Sequence, residues 1–116
     1  MFEGPLPLET TPAEIRSRMQ SGERIQLIDV REPAEHQVAR IENAQLIPMG
    51  DVPSRLQTIE QAADDAATVV VFCHHGVRSL HVANWLRGQG VENVQSMQGG
   101  IDRWSLEIDP DVPRYT

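Results

Sequence analysis

Thr68-Val69-Val70-Val71-Phe72-Cys73-His74-His75-Gly76-Val77-Arg78-Ser79 is the stretch that decides the fold. Its first five residues are β-branched or aromatic with no polar alternation, the pattern of a strand covered on both faces in the middle of a parallel sheet. In open sheets of that kind, ligands sit outside the carboxyl ends of the strands. The residue after Phe72 is Cys73, the single cysteine of the chain, followed by a glycine-containing loop and a helix expected to begin at about Ser79.

Working outward, Thr11-Pro12-Ala13-Glu14 is a capping box with proline at the first helical position. It predicts a helix from Pro12 to about Ser21, stopped at Gly22, with Ile15 and Met19 buried. Arg24 to Val30 reads as a strand whose carboxyl end is Asp29 to Arg31. Pro33 opens a short helix through Val38, and Ala44 to Ile47 is a brief strand closed by Pro48. Val52 to Ala63 follows as a helix with Val52, Leu56 and Ile59 on one face. Ser79 to Arg87 is a helix turning Leu80, Ala83, and Trp85 or Leu86 inward and ending at Gly88 and Gly90. Asn93 to Met97 is a last strand, and Gly100 to Leu106 a last helix. Strands alternating with helices imply an α/β domain with a mainly parallel central sheet flanked by helices on both faces. The core is expected over about residues 8–108. The proline-rich tail 109–116 is expected to lie on the surface.

Composition narrows the function classes. The 116 residues carry 10 Lys+Arg against 17 Asp+Glu, a net charge of −7, with 40% apolar residues. That length suits one domain burying roughly two-thirds of its unfolded surface. A lone cysteine excludes an intrachain disulfide, a redox dithiol and a multi-thiolate metal site. An acidic chain without clustered Lys and Arg argues against nucleic acid as partner. No segment approaches the roughly 18 apolar residues of a membrane span; Ala66 to Cys73, the longest candidate, is interrupted by Thr68. The N-terminal stretch to Glu9 has neither a basic region nor an apolar one, so no signal peptide is expected and the cytoplasm is the expected compartment.

The loop after Cys73 has the parts that thiolate chemistry requires. A thiol is a nucleophile only as thiolate, and its usual pKa near 8.5 falls beside backbone N–H groups, a helix N-terminus or a cation. The N–H groups from His74 through His75, Gly76 and Val77 to Ser79 are expected to curl around the sulfur as an anion nest. The helix dipole adds about half a positive charge, and Arg78 a full one in a fork suited to oxyanions. The competing reading of Cys73 is a small core residue. His74 and His75 read as exposed loop residues rather than metal ligands with His36 or His81, since no carboxylate cluster joins them. Asp29 and Arg31, at a neighbouring strand end, read as a structural ion pair or cap, with support of the site from just outside it the alternative, and Glu35 belongs to the structural reading. Trp85 and Trp104 read as core or rim packing, with substrate stacking the alternative. Gly99-Gly100 reads as a turn into the last helix, or a pocket wall.

These residues carry a resemblance. The chain resembles the single-domain rhodaneses, a family of sulfurtransferases, from about Leu8 to Ile108. Besides the Cys73 loop, the match rests on Asp29-Val30-Arg31-Glu32-x-x-Glu35, Ile41-x-x-Ala44-x-x-Ile47-Pro48 and Gly99-Gly100-Ile101-x-x-Trp104. It departs at Ala39-Arg40-Ile41, where many members read Gly-His-Ile. The resemblance implies a rhodanese-like fold and a persulfide carried on Cys73 within the His74 to Arg78 cradle. Thiosulfate or a persulfide would be the donor and cyanide or a thiol the acceptor, with no cofactor. A protein donor or acceptor is the alternative, the chain then acting as a sulfur-relay or interaction module. Four residues separate Cys73 from Arg78, whereas cysteine phosphatases of this fold have five, which places phosphatase and arsenate reductase behind sulfur transfer. A catalytically silent binding module is disfavoured by the presence of both Cys73 and Arg78.

Overall fold

The computed structural model describes residues 6–116. The N-terminal stretch read for a signal peptide begins at Met1, and its first five residues lie outside the described residues. The element order is β1 (Glu9–Thr10), α1 (Pro12–Gln20), β2 (Ile25–Asp29), α2 (Pro33–Val38), β3 (Gln45–Leu46), α3 (Leu56–Asp65), β4 (Thr68–Phe72), α4 (Val77–Gly88), β5 (Val94–Met97) and α5 (Gly100–Glu107). Among the described residues, five strands form one sheet in the order β1-β5-β4-β2-β3, with every neighbouring pair parallel. The α/β class with a parallel central sheet expected from sequence is what the structure has.

β4 sits in the centre, with Val70 registered against Leu27 of β2 and Gln95 of β5. All five of its residues are buried, which is why it needs no polar alternation. Successive side chains leave opposite faces. Val69, Val71 and Cys73 pack with Ile59 of α3 and Val82, Ala83 and Leu86 of α4. Val70 and Phe72 pack with Ile15 of α1 and Ile101 and Trp104 of α5. Helices therefore cover both faces.

Several local expectations change. Met19 is exposed, because the inward position one turn after Ile15 belongs to Arg18. The Arg18 guanidinium reaches over the amino ends of the strands to Gln95 (2.8 Å), Thr68 (2.9 Å) and Glu23 (2.6 Å). The helix expected from Val52 begins at Leu56, preceded by 3₁₀ turns at Met49–Asp51 and Pro53–Arg55. Pro53 opens the second of these turns, a position where its missing N–H costs nothing. Val52 and Ile59 are nevertheless buried, with Leu56 half-buried between them. α4 starts two residues early, and its inner face is Ser79, Val82, Ala83 and Leu86, leaving Trp85 exposed and Leu80 half-buried. Trp104 is buried. β1 was not expected; two residues carry no periodicity, and Thr10 is held by its pairing with Met97.

The tail is the largest departure. Val112 is buried, Ser105 Oγ donates to its carbonyl at 2.5 Å, and Tyr115 is half-buried against the loop that follows β4. Proline prevents regular structure there but not packing. No helix among the described residues is long and apolar enough to cross a membrane. Ile59 ties α3 to the sheet with none of its surface exposed, whereas Leu106 is 61% exposed. Urea unfolding is expected to show Ile59→Ala losing about 2–5 kcal/mol and Leu106→Ala less than about 0.5 kcal/mol; equal losses would contradict this packing.

Candidate active site

Cys73 follows β4 directly, and its side chain is buried, with 1% of the residue exposed. Parallel strands end their hydrogen-bond ladder at the same edge, so the chain must leave the sheet here. Gly76 makes the reversal with φ at +103°, a conformation L side chains rarely adopt. Its N–H donates to Cys73 Sγ at 3.1 Å, and the Ser79 N–H does so at 3.4 Å. The sulfur thus lies at the N-terminus of α4, where unpaired amides and the helix dipole favour negative charge. Ser79 Oγ lies 3.5 Å from the sulfur and 2.8 Å from Ser96 Oγ, in a fully buried polar pair beneath it.

The loop is braced from behind by α5. Ile101 N–H donates to the Cys73 carbonyl at 2.9 Å and Asp102 N–H to the His74 carbonyl at 3.2 Å. A Cβ on Gly100, whose φ is +62°, would run into both carbonyls, and one on Gly76 would press on the Gly99 nitrogen at 3.1 Å. Gly99-Gly100 is therefore both the turn into α5 and the back wall of the cysteine loop. Gly100→Ala is expected to cost at least about 2 kcal/mol, combining positive φ with steric overlap. A melting temperature within 2 °C or so of wild type would refute that bracing.

Other residues depart from expectation. The nest narrows to Gly76 and Ser79; the sulfur takes no hydrogen bond from the backbone of His74, His75 or Val77, and the Val77 side chain is exposed. Arg78 does not aim its fork at the sulfur. Its Nη1 and Nη2 donate to Glu35 Oε1 (2.7 Å) and Oε2 (2.9 Å). His75 is exposed, 4.0 Å from Asp102. His74 is not a free loop residue: its ring stacks on Tyr115 with centroids 3.9 Å apart and planes at 9°, and its Nε2 is buried without a partner. Burial, helped by the neighbouring His75, lowers its pKa, so the ring is neutral at pH 7.

Asp29 and Arg31 form the structural pair expected, with both side chains fully buried. Arg31 Nε and Nη2 donate to Asp29 Oδ1 (2.8 Å) and Oδ2 (2.7 Å), and Nη2 also donates to the Ala39 carbonyl at 2.6 Å. Arg31 Nη1 donates to Tyr115 Oη at 2.8 Å, and Tyr115 Oη donates to Glu35 Oε2 at 2.9 Å. A continuous chain therefore runs Asp29–Arg31–Tyr115–Glu35–Arg78 to the rim of the cysteine loop. Sequence reasoning placed Glu35 only with the structural charges and missed Tyr115 and Ser96. Glu35 stood in the Asp29 to Glu35 segment that carries the family resemblance; nothing local marked the other two.

The hydrogen bonds from Arg78, against the opposing cost of burial, lower Glu35 to about 2. The same pairing raises Arg78, and burial raises Tyr115, so its phenol stays protonated. A carboxylate depressed on folding stabilises the protein above its unfolded pKa, and that contribution disappears as pH falls through the folded value. The stability difference between wild type and Glu35→Gln is therefore expected to be full above about pH 4.5 and to shrink toward pH 2. Urea titrations at pH 7, 4 and 2.5 measure it, and a gap that grows on acidification would contradict the pairing.

Comparison with known proteins bears on this geometry. The family model described as "Rhodanese-like domain" matches residues 11–107. YtwF of Bacillus subtilis, named for sulfurtransferase activity, is 32% identical over 102 residues, spanning 88% of this chain and 94% of that one. MoeZ of Mycobacterium tuberculosis, whose name joins adenylyltransferase and sulfurtransferase, is 35% identical over 105 residues, 90% of this chain but 26% of that protein. Across the first curated relatives it matches, the chain spans only 26–35% of their length. The human single-domain sulfurtransferase TSTD1 superposes with a TM-score of 0.74 at 28% identity, covering 88% of this chain and 98% of that one.

Proposed function

The chain belongs to the rhodanese-like sulfurtransferase family, and from that premise we propose that it moves sulfane sulfur through a persulfide on Cys73. The observation that carries the reading is the seating of Cys73 Sγ at the N-terminus of α4 under the Gly76 and Ser79 amides. Those two donors suit one sulfur atom bearing negative charge, before and after a second sulfur is added to it.

In the first displacement the Cys73 thiolate attacks the outer sulfur of thiosulfate or a similar donor. The donor's S–S bond breaks, its electron pair leaves with sulfite, and a Cys73 persulfide remains. In the second, cyanide or a thiolate attacks the outer sulfur and the thiolate of Cys73 is restored. No net redox change occurs and no cofactor enters either step, which is covalent catalysis of the ping-pong type. The chain has no second cysteine, so the acceptor comes from outside. The buried Ser79–Ser96 hydroxyl pair gives the sulfur a polar floor without a competing acid or base.

A second reading, protein-to-protein sulfur relay, draws support from relatives such as MoeZ, in which the matching segment is a quarter of a longer protein named for two activities. Intact mass of wild type and Cys73→Ser, before and after thiosulfate and then cyanide, separates the readings. A gain of about 32 Da on wild type alone, reversed by cyanide with release of thiocyanate, is the expected result. Loading from a persulfidated protein but not from thiosulfate would favour relay. Loading from neither would refute sulfur transfer.

A further inference from the structure

The cations around the cysteine loop are all committed to carboxylates. Arg78 is held by both oxygens of Glu35, Arg31 by both oxygens of Asp29, and Arg114 by both oxygens of Asp102 at 2.8 and 3.2 Å. The Arg78 pair decides most, because Arg78 stands in the first turn of α4 at the rim of the loop and its terminal nitrogens form the planar fork that would otherwise take an oxyanion. That fork is already filled by an internal anion. Glu35 is not free to swing away at little cost, since Tyr115 Oη and the Glu32 N–H also bond its carboxylate, at 2.9 and 3.1 Å.

Resting on the sulfurtransferase reading above, we propose that Glu35, braced by Tyr115, is a specificity-determining residue that selects sulfane donors of single negative charge, such as persulfides, over dianionic thiosulfate. A dianion entering the loop meets an arginine whose charge is cancelled and whose donors are used, and must displace Glu35 to gain either. A singly charged donor needs less. The two backbone amides on Cys73 Sγ and the α4 dipole, about half a charge, suffice for its one transferring sulfur. The chain's overall charge of −7 acts in the same direction. Tyr115 acts only through Glu35 and is a positioning residue.

The test compares thiosulfate with methanethiosulfonate, which presents the same outer sulfur next to a sulfonyl group with one charge fewer. In both reactions the Cys73 thiolate takes the outer sulfur, releasing sulfite from one and methanesulfinate from the other. The readout is the ratio of kcat/KM for thiosulfate to that for methanethiosulfonate, in which any loss of folded protein cancels. Glu35→Gln removes the charge and keeps one acceptor oxygen, enough for either the Glu32 N–H, bonded to Oε1 in wild type, or the Tyr115 hydroxyl, bonded to Oε2, but not both. It is expected to raise the ratio about tenfold. Tyr115→Phe, which keeps the ring on His74, is expected to raise it about two- to threefold. A ratio unchanged within twofold in Glu35→Gln would overturn the proposal.

Alkylation of Cys73 by iodoacetate relative to iodoacetamide reads the same masking without sulfur chemistry, and Glu35→Gln is expected to raise that ratio severalfold. If wild type loads sulfur from neither of these donors nor from a persulfidated protein, the sulfurtransferase reading fails. A raised alkylation ratio in that case still places Glu35 over the charge of Arg78, and an unchanged one refutes the masking itself.

Discussion

The buried pairing of Arg31 with Asp29 holds together the parts of the molecule that matter most for its chemistry. A fully buried guanidinium is costly unless its donors are satisfied, and breaking one partner of such a pair typically costs several kcal/mol. Here Asp29, the Ala39 carbonyl and Tyr115 take those donors. Satisfying the guanidinium therefore fastens the end of β2, the turn after α2 and the C-terminal tail to one point. Tyr115 passes the constraint on to Glu35, and Glu35 to Arg78 at the rim of the cysteine loop. A polar network of this kind is stabilising only when complete, which couples the tail to the site.

The cysteine loop is shaped by backbone more than by side chains. Its amides face the sulfur from one side, and its carbonyls are taken by the first turn of α5 from the other. Gly76, Gly99 and Gly100 all lie at positive φ, and at Gly100 there is no room for a Cβ. A shape fixed by backbone hydrogen bonds holds its donors in place while charge on the sulfur changes, which is what electrostatic preorganisation requires. The side chains of His74 and Arg78 then define what surrounds that cradle, one by stacking and the other by a filled salt bridge.

Much of this was legible in the chain. The Thr68 to Phe72 run announced a central strand because a strand buried on both faces has no polar position to conceal it. The Pro33–Val38 helix had its proline start, and the Pro12–Gln20 helix its Thr11 to Glu14 capping box. Boundaries failed where local signals were weak or contradictory. α3 begins late because its lead-in is wound as 3₁₀ turns, which apolar spacing over so few residues does not tell from α, and β1 is too short for any period to show. Met19 was assigned inward by spacing, but Arg18 occupies that direction because its stem can lie over the sheet while its head bonds Glu23 and Gln95.

By itself the sequence determined the α/β order, the central strand and the position of one cysteine at its carboxyl end before a glycine turn and a helix. These follow from periodicity, capping and backbone restrictions, which act over a few residues and leave a local trace. Only the tertiary structure decided that Arg78 is answered by Glu35 rather than left open to an anion, that Ser96 lies under Ser79, and that Tyr115 stacks on His74. Those pairs are separated by 43, 17 and 41 positions (78 − 35, 96 − 79, 115 − 74). Contacts at such range come from strand order and helix packing, so no residue's immediate neighbours carry their signature.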